Sequence, residues 1–194
     1  MRPRFAIGNS SFPSLRGEGC HFVDKSLLIA DVVHNADQVV LLPRPRRFGK
    51  TLALTMLRAW FAPGQDHMAL FGDLAVWQAG DDVRATCGSH PVIFLSFKDV
   101  KARTWSACRA AIAEELSLLC GQLDEATAHA RLAPAELGRY ERLRSGEASD
   151  AEMHKALQLL SIWLSRAHGR QVLILIDEYD TPIVEGKKGW LRKL

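Results

Sequence analysis

Residues 39–61 read VVLLPRPRRFGKTLALTMLRAWF: an apolar run, a turn carrying two prolines and three arginines, and a second run with apolar residues near helical spacing. Residues 39–42 are continuously apolar and β-branched at their start, which predicts a strand buried on both faces. Pro43 and Pro45 end it. A helix is predicted from near Gly49 to about Phe61, with Leu52, Met56, Ala59 and Trp60 close to helical spacing. The APGQ that follows, 62–65, breaks it.

A strand that turns tightly into a helix aims several backbone N–H groups at one spot, with the helix dipole behind them. That is what a triphosphate needs. In this reading Lys50 reaches the β- and γ-phosphates, Thr51 gives Mg2+ a hydroxyl, and Gly49 keeps a Cβ out of the way. The tripeptide alone is weak, since residue usage produces GKT or GKS by chance in on the order of one in ten chains of this length. The strand before it and the helix after it are what the motif requires. Arg44 is discordant, because it stands where a generic loop has its first glycine. If that position is left-handed, a non-glycine there costs roughly 1–2 kcal/mol. A solvated basic turn is the plain alternative.

A second signal lies at 171–180, QVLILIDEYD. It reads as an apolar strand that delivers Asp177 at its carboxyl end, where ligands of open parallel sheets bind. Asp177 would hold Mg2+ and Glu178 would orient and deprotonate the attacking water. A strand that simply exits into a polar turn is the alternative. Two signals in the required order, each on the required element, favour a P-loop ATPase. A glutamate directly after the aspartate separates this chain from GTPases, whose DxxG and NKxD signals it lacks, and disfavours small-molecule kinases.

Between these motifs, PVIFLSF at 91–97 predicts another buried strand. Asp24 is placed to cap a helix whose apolar face is Leu27, Leu28, Ala30, Val32 and Val33 and which ends at Asn35 and Asp37. A long helix is predicted from Trp105 to Cys120. Residues 124–145 read as a polar surface helix interrupted at Pro134 and Gly138. Asp150 is placed to cap a helix ending at His168, with Gly169 as its stop. Three buried strands separated by helices predict an α/β fold with a parallel sheet covered on both faces.

The chain has 194 residues, enough for one domain with a sizeable core. Its 47% apolar and 24% charged composition is that of an ordinary soluble protein. The formal charge of +3, from 25 basic and 22 acidic residues, is far from that of a dedicated nucleic-acid binder. No helix-turn-helix or aromatic-basic platform is visible either, so direct nucleic-acid contact is not expected. The four cysteines, Cys20, Cys87, Cys108 and Cys120, show no metal-ligand spacing and read as scattered reduced thiols. No apolar run is long enough to span a bilayer and no signal peptide is visible, which predicts a cytoplasmic location.

Five segments in order carry a family resemblance: FVDKS (22–26), LLPRPRRFGKTLAL (41–54), LFGDLAV (70–76), HPVIFLSF (90–97) and LILIDEYDTPI (173–183). Together they resemble the AAA-ATPase-like family of bacterial P-loop proteins, members of which often carry a PD-(D/E)XK nuclease-like domain. RPRRFGK and IDEYD are far more specific to that family than a generic Walker A. The family's own loop has arginine and proline in place of the first glycine, so the resemblance makes Arg44 a family variant. It implies a three-layer α/β P-loop NTPase of the AAA-like type with a mainly parallel sheet, and the cofactors ATP and Mg2+. It assigns nucleotide contacts to Arg46, Arg47, Phe48, Gly49, Lys50, Thr51 and Leu52. The Walker B roles fall to Asp177 as metal ligand with Thr51, and to Glu178 as catalytic residue with Lys50. Asp24 and Lys25 match the family's amino-terminal motif and are placed near the adenine. Their plain alternative is a helix cap and a surface lysine. Tyr179 and Asp180 belong to the motif without an assigned chemistry.

In ATPases of this branch a further strand, with a sensor residue, follows Walker B. The present chain ends at Leu194 without one, so the expectation is a carboxyl-truncated member whose sheet is incomplete. One domain is expected over 1–194, with a lead-in at 1–37 and a core from 38 onward. Mg2+-dependent ATP hydrolysis is the expected reaction, weak in this chain by itself. A non-catalytic nucleotide- or protein-binding module is the alternative, and a small-molecule phosphotransferase the next. Expected partners are the nucleotide and either a second copy or a nuclease-like domain.

Overall fold

The computed structural model of the protein describes residues 8–35, 37–43, 48–128 and 130–184. The chain divides into two compact units, Met1–Val92 and Ile93–Leu194. Arg44, Pro45, Arg46 and Arg47 lie outside the described residues. Among the described residues no helix is long and apolar enough to cross a membrane.

The first unit is helical. It contains α1 (Phe12–Gly17), α2 (Leu27–Asn35), α3 (Lys50–Phe61), α4 (His67–Phe71), a 3₁₀ turn over Ala75–Gln78, and α5 (Asp81–Arg84). An aromatic cluster makes its core. Phe12 stacks on Phe71 with ring centroids 4.8 Å apart, and Trp60 meets Phe71 edge-on at 5.0 Å. The Trp60 indole N–H donates to Thr86 Oγ1 at 2.9 Å, so the buried ring leaves no orphan donor. Thr55 ties α3 to the chain before α1: its hydroxyl accepts from Phe12 N and donates toward Ser10 O.

Helix α3 spans the predicted range, but its predicted strand does not form. Residues 39–43 make no ladder, and Val39, Val40 and Leu41 are 87%, 46% and 65% exposed. An apolar run becomes a strand only when a neighbour takes its N–H and C=O groups. No described segment does so here. The predicted face of α2 also shifts. Ile29 and Ala30 are buried while Leu27, in the same first turn, is exposed, so the packed face starts two residues later than the apolar pattern suggests.

The second unit holds the sheet and the longer helices. Strand β1 (Val92–Ser96) pairs with β2 (Leu173–Asp177) in a two-stranded parallel sheet. The crossover contains α6 (Trp105–Ala128), α7 (Pro134–Ser145), α8 (Asp150–His154) and α9 (Ala156–His168). The predicted three buried strands are therefore two, and β2 is covered on one face only. Leu175 and Asp177 point inward while Ile174 and Ile176 are 39% and 37% exposed. The unit's core joins Ile93 and Leu95 of β1 to Leu119, Leu143, Leu160 and Trp163 of the helices.

Local signals misplace several helix limits. Helix α6 runs past Cys120 to Ala128, where Leu123 still packs on the core. Pro134 starts α7 instead of interrupting it, as its fixed φ allows at a first helical position. Gly138 sits inside that helix. The helix is not purely a surface element either, since Tyr140 and Leu143 are buried. Ser149 rather than Asp150 caps α8, exchanging hydrogen bonds with Glu152 in a capping box. Lys155 then separates α8 from α9, so the predicted single helix is two. Gly169 closes α9 with φ +64°, as expected of a left-handed helix stop.

Ion pairs tie these helices together. Glu136 accepts from Arg166 Nη1 at 2.9 Å and from the Trp163 indole, and Glu152 accepts from Arg142 Nη2 at 2.6 Å. Arg166, then the Ala133 N–H, hold the Glu136 carboxyl down at about 2. Arg142, then the Ser149 N–H, do the same for Glu152. A carboxyl whose folded pKa is depressed stabilises the fold above its unfolded pKa and loses that contribution as pH falls through the folded one. The melting temperature is therefore expected to fall as pH drops from about 4.5 toward 2, more than in a Glu136→Gln, Glu152→Gln chain. Both side chains contact water, so the difference is modest and shrinks in high salt. Equal pH profiles for the two chains in melts would contradict it.

Candidate functional site

In the first unit the described part of the phosphate motif converges on the amino end of α3. Phe48 is 62% exposed. Gly49 has φ +73° and ψ 27°, a left-handed conformation, and Lys50 begins the helix. A Cβ built on Gly49 would meet nothing within 4 Å, so the glycine is required by its backbone angle and not by crowding from protein atoms. Ala53 N donates to Gly49 O at 2.9 Å and closes the first turn. The first turn of any helix presents N–H groups for which the i−4 carbonyl lies outside the helix. No acidic residue stands in the first turn, and the residue at the cap position, Gly49, has no side chain to close it. The helix dipole and the Lys50 ammonium thus favour an anion there. Phe48, Gly49, Lys50, Thr51 and Leu52 are together at this turn.

The FVDKS segment splits into two roles. Asp24 is structural: its Oδ1 accepts from Ser26 N at 2.8 Å and its Oδ2 from Ala75 N at 2.8 Å. Burial pushes its carboxyl up, and the N–H groups of Ala75 and Ser26 outweigh that, leaving it below its ordinary value. Ser26, fully buried, accepts from Val76 N at 3.0 Å. The pair fastens the start of α2 to the 3₁₀ turn. Lys25 instead faces a cavity of about 180 Å3 beside Gly49, which Phe22 and Val23 also line. The sequence reading assigned Asp24 and Lys25 together and passed over Phe22 and Val23, although the motif contained them.

In the second unit the acidic pair sits at the end of β2. Asp177 is 1% exposed, on the same face as Leu175. Its carbonyl accepts from Phe97 N at 3.0 Å, which holds it to the end of β1. Its Oδ1 accepts from Glu178 N at 3.1 Å. Glu178 has φ +52°, a left-handed conformation that a glutamate adopts only at a cost. This turns the chain sharply and sends Glu178 off the strand's pleat. Thr181 N donates to Glu178 O at 3.0 Å, and the Thr181 hydroxyl lies 3.5 Å from Glu178 Oε2. The carbonyl of Asp180 accepts from Ile183 and Val184 N–H, while Tyr179 is 54% exposed. Thr181 was not anticipated from the sequence.

Mg2+ takes oxygen ligands and keeps several waters, using one or two protein groups plus phosphate. The Thr51 hydroxyl and the Asp177 carboxylate are oxygen donors of that kind. Among the described residues no group of three or more His, Cys, Asp or Glu could hold a metal without such a ligand. Each of the two, Thr51 and Asp177, is by itself an oxygen donor of the kind that suits an ion carried in by a nucleotide. All four cysteines are free, and burial raises the thiol of Cys120 to about 12 and that of Cys87 to about 11, which disfavours their thiolates.

A family described as "Predicted AAA-ATPase", AAA-ATPase-like, matches residues 6–189. A protein of Azotobacter chroococcum mcd 1, named "Uncharacterized protein in vnfD 5'region", is 30% identical over 188 residues. The match covers 95% of this chain and 30% of that protein, so the chain spans about a third of the length of the curated relative it matches. No solved structure matches the chain. A match over nearly all of the described sequence, running through both motif-bearing turns, places the chain in the AAA-ATPase-like family.

Proposed function

We propose that the chain binds Mg2+–ATP at the amino end of α3 and serves an ATPase of the three-layer P-loop type. The observation that carries this is the acid-free first turn of a twelve-residue helix, entered through a left-handed glycine and opening with Lys50 and Thr51. Its N–H groups and dipole receive the phosphates, and Lys50 neutralises charge on the β- and γ-phosphates. Mg2+, when bound, would supply positive charge against that developing on the phosphates. Thr51 and Asp177 are the protein oxygens that the family reading gives it. Glu178 orients a water for in-line attack and takes its proton. Arg46 and Arg47 belong to the same reading through the sequence.

A second reading, nucleotide binding with little turnover, is favoured by the exposure of Val39, Val40 and Leu41. A phosphate loop not anchored by a paired strand is poorly preorganised for the transition state.

Binding is tested by melting the 194-residue chain with and without Mg2+–ATP, beside Lys50→Ala. Ligand at 100 times its dissociation constant adds about 2.7 kcal/mol to native stability, a rise of roughly 5–10 °C for a chain this size. The expected result is that rise in the wild type and none in Lys50→Ala. A cooperative wild-type melt that ignores nucleotide overturns the proposal.

A further inference from the structure

We infer that Thr181 is a positioning residue for Glu178: its hydroxyl engages one oxygen of the glutamate carboxylate and leaves the other to face the attacking water. The inference rests on Glu178 acting as the base that takes a proton from that water. The backbone of Glu178 is already held at both ends. Its N–H donates to Asp177 Oδ1 at 3.1 Å, and its carbonyl accepts from Thr181 N at 3.0 Å. Asp177 is buried and held to the end of β1 through Phe97 N. The side chain of Glu178 is what remains free, and its rotatable bonds cost entropy to fix in one direction.

The turn supplies one group that can choose that direction. Tyr179 and Asp180 are exposed, whereas Glu178 before them and Thr181 after them are half-buried. Among the described residues, the Thr181 hydroxyl is the side-chain donor that the structure places against the carboxylate, 3.5 Å from Oε2. That is long for an O–H···O bond, as catalytic hydrogen bonds often are before substrate arrives and tightens them. Threonine is stiff about χ1, and its own N–H is anchored on Glu178 O. The hydroxyl therefore stays beside that oxygen.

The chemistry divides the two carboxylate oxygens. An ionised carboxylate only accepts, and a hydroxyl can donate. With Oε2 engaged by Thr181, Oε1 is the oxygen left to accept the water proton. Thr181 gives up no proton and touches neither the water nor the nucleotide in this role. It acts through Glu178 alone.

The test measures phosphate release and Mg2+–ATP binding by the full 194-residue chain as wild type, Thr181→Val, Thr181→Ser, Glu178→Gln, and Thr181→Val combined with Glu178→Gln. Valine keeps the β-branch and removes the hydroxyl. The kcat of Thr181→Val is expected to fall about tenfold, the low end of what a hydrogen bond to a charged group contributes, with ATP affinity unchanged. Serine restores the hydroxyl and is expected to restore the rate. On the Glu178→Gln background, Thr181→Val is expected to add nothing, since the base it positions is gone. A Thr181→Val chain as fast as the wild type, beside a slow Glu178→Gln, overturns the role of Thr181 and leaves the base standing. An equal proportional loss on both backgrounds does the same, because a hydroxyl that only braces the turn would act on both alike. So does a loss that serine fails to restore. Glu178→Gln as fast as the wild type, or a wild type that binds ATP and releases no phosphate, overturns the base assignment and the role of Thr181 with it. Should the valine chain melt early, Thr181→Ala set against Thr181→Ser gives the same comparison.

Discussion

A Glu178→Gln chain is expected to bind Mg2+–ATP as tightly as the wild type and to hydrolyse it about 10²- to 10⁴-fold more slowly, the range a positioned general base contributes. The amide keeps the shape of the carboxylate, and its oxygen can still accept from the Thr181 hydroxyl. It cannot take a proton from water. Phosphate release at saturating ATP reads the effect, and a variant rate within threefold of the wild type would remove Glu178 from the mechanism. The backbone adds an independent check. At φ +52° a non-glycine residue carries roughly 1–2 kcal/mol of strain. Glycine would release it and lose about 0.4–1 kcal/mol through a more flexible unfolded chain. Glu178→Gly is therefore expected to melt about 2–4 °C higher than the wild type while being as slow as Glu178→Gln. A glutamate kept where glycine would be more stable fits a residue held for its chemistry.

The second large effect is on stability. Trp60→Ala is expected to cost about 3–5 kcal/mol, seen as a drop of roughly 10 °C or more in the melt. The indole is fully buried, lies edge-on against Phe71 and Trp77, and spends its N–H on Thr86. Alanine leaves a void that the surrounding rings fill only in part. Trp60→Phe keeps one ring but loses the other half of the indole and its hydrogen bond, so its cost should be smaller than that of alanine, roughly 1–3 kcal/mol. A loss below about 1 kcal/mol for alanine would mean that the site collapses freely. The experiment also bears on the site. Trp60 sits near the carboxyl end of the helix whose amino end carries Gly49 and Lys50, so loosening one end of α3 should weaken nucleotide binding at the other.

The helix after the phosphate turn, both ladder strands and the Gly169 stop were legible because each depends on a few adjacent residues. Gly49 takes its left-handed angle where a GKT turn requires it, and PVIFLSF and LILID alternate or run apolar over strand length. Other features depended on groups distant in sequence. Residues 39–42 have strand composition, yet a strand needs a neighbour's N–H and C=O groups, and composition does not say who supplies them. Leu27 is apolar and exposed while Ile29 is buried, because the packing of α2, not its pattern alone, chooses the face. Gly138 costs α7 about 1 kcal/mol relative to alanine, which the burial of Tyr140 and Leu143 outweighs.

The site follows the same division. The residue types that can hold phosphate, Mg2+ and a water, Lys50, Thr51, Asp177 and Glu178, were determined by the sequence, since chemistry belongs to the side chain. Where those groups stand was decided by tertiary structure. The pleat buries Asp177 beside Leu175, and a left-handed turn carries Glu178 away from it. Asp24 is withdrawn to Ala75 N, a partner 51 residues away, while Lys25 next to it is left facing the cavity. Local backbone preference reaches only a few residues along the chain. Burial, hydrogen-bond partners and cavities are made by segments that meet only when the chain has folded.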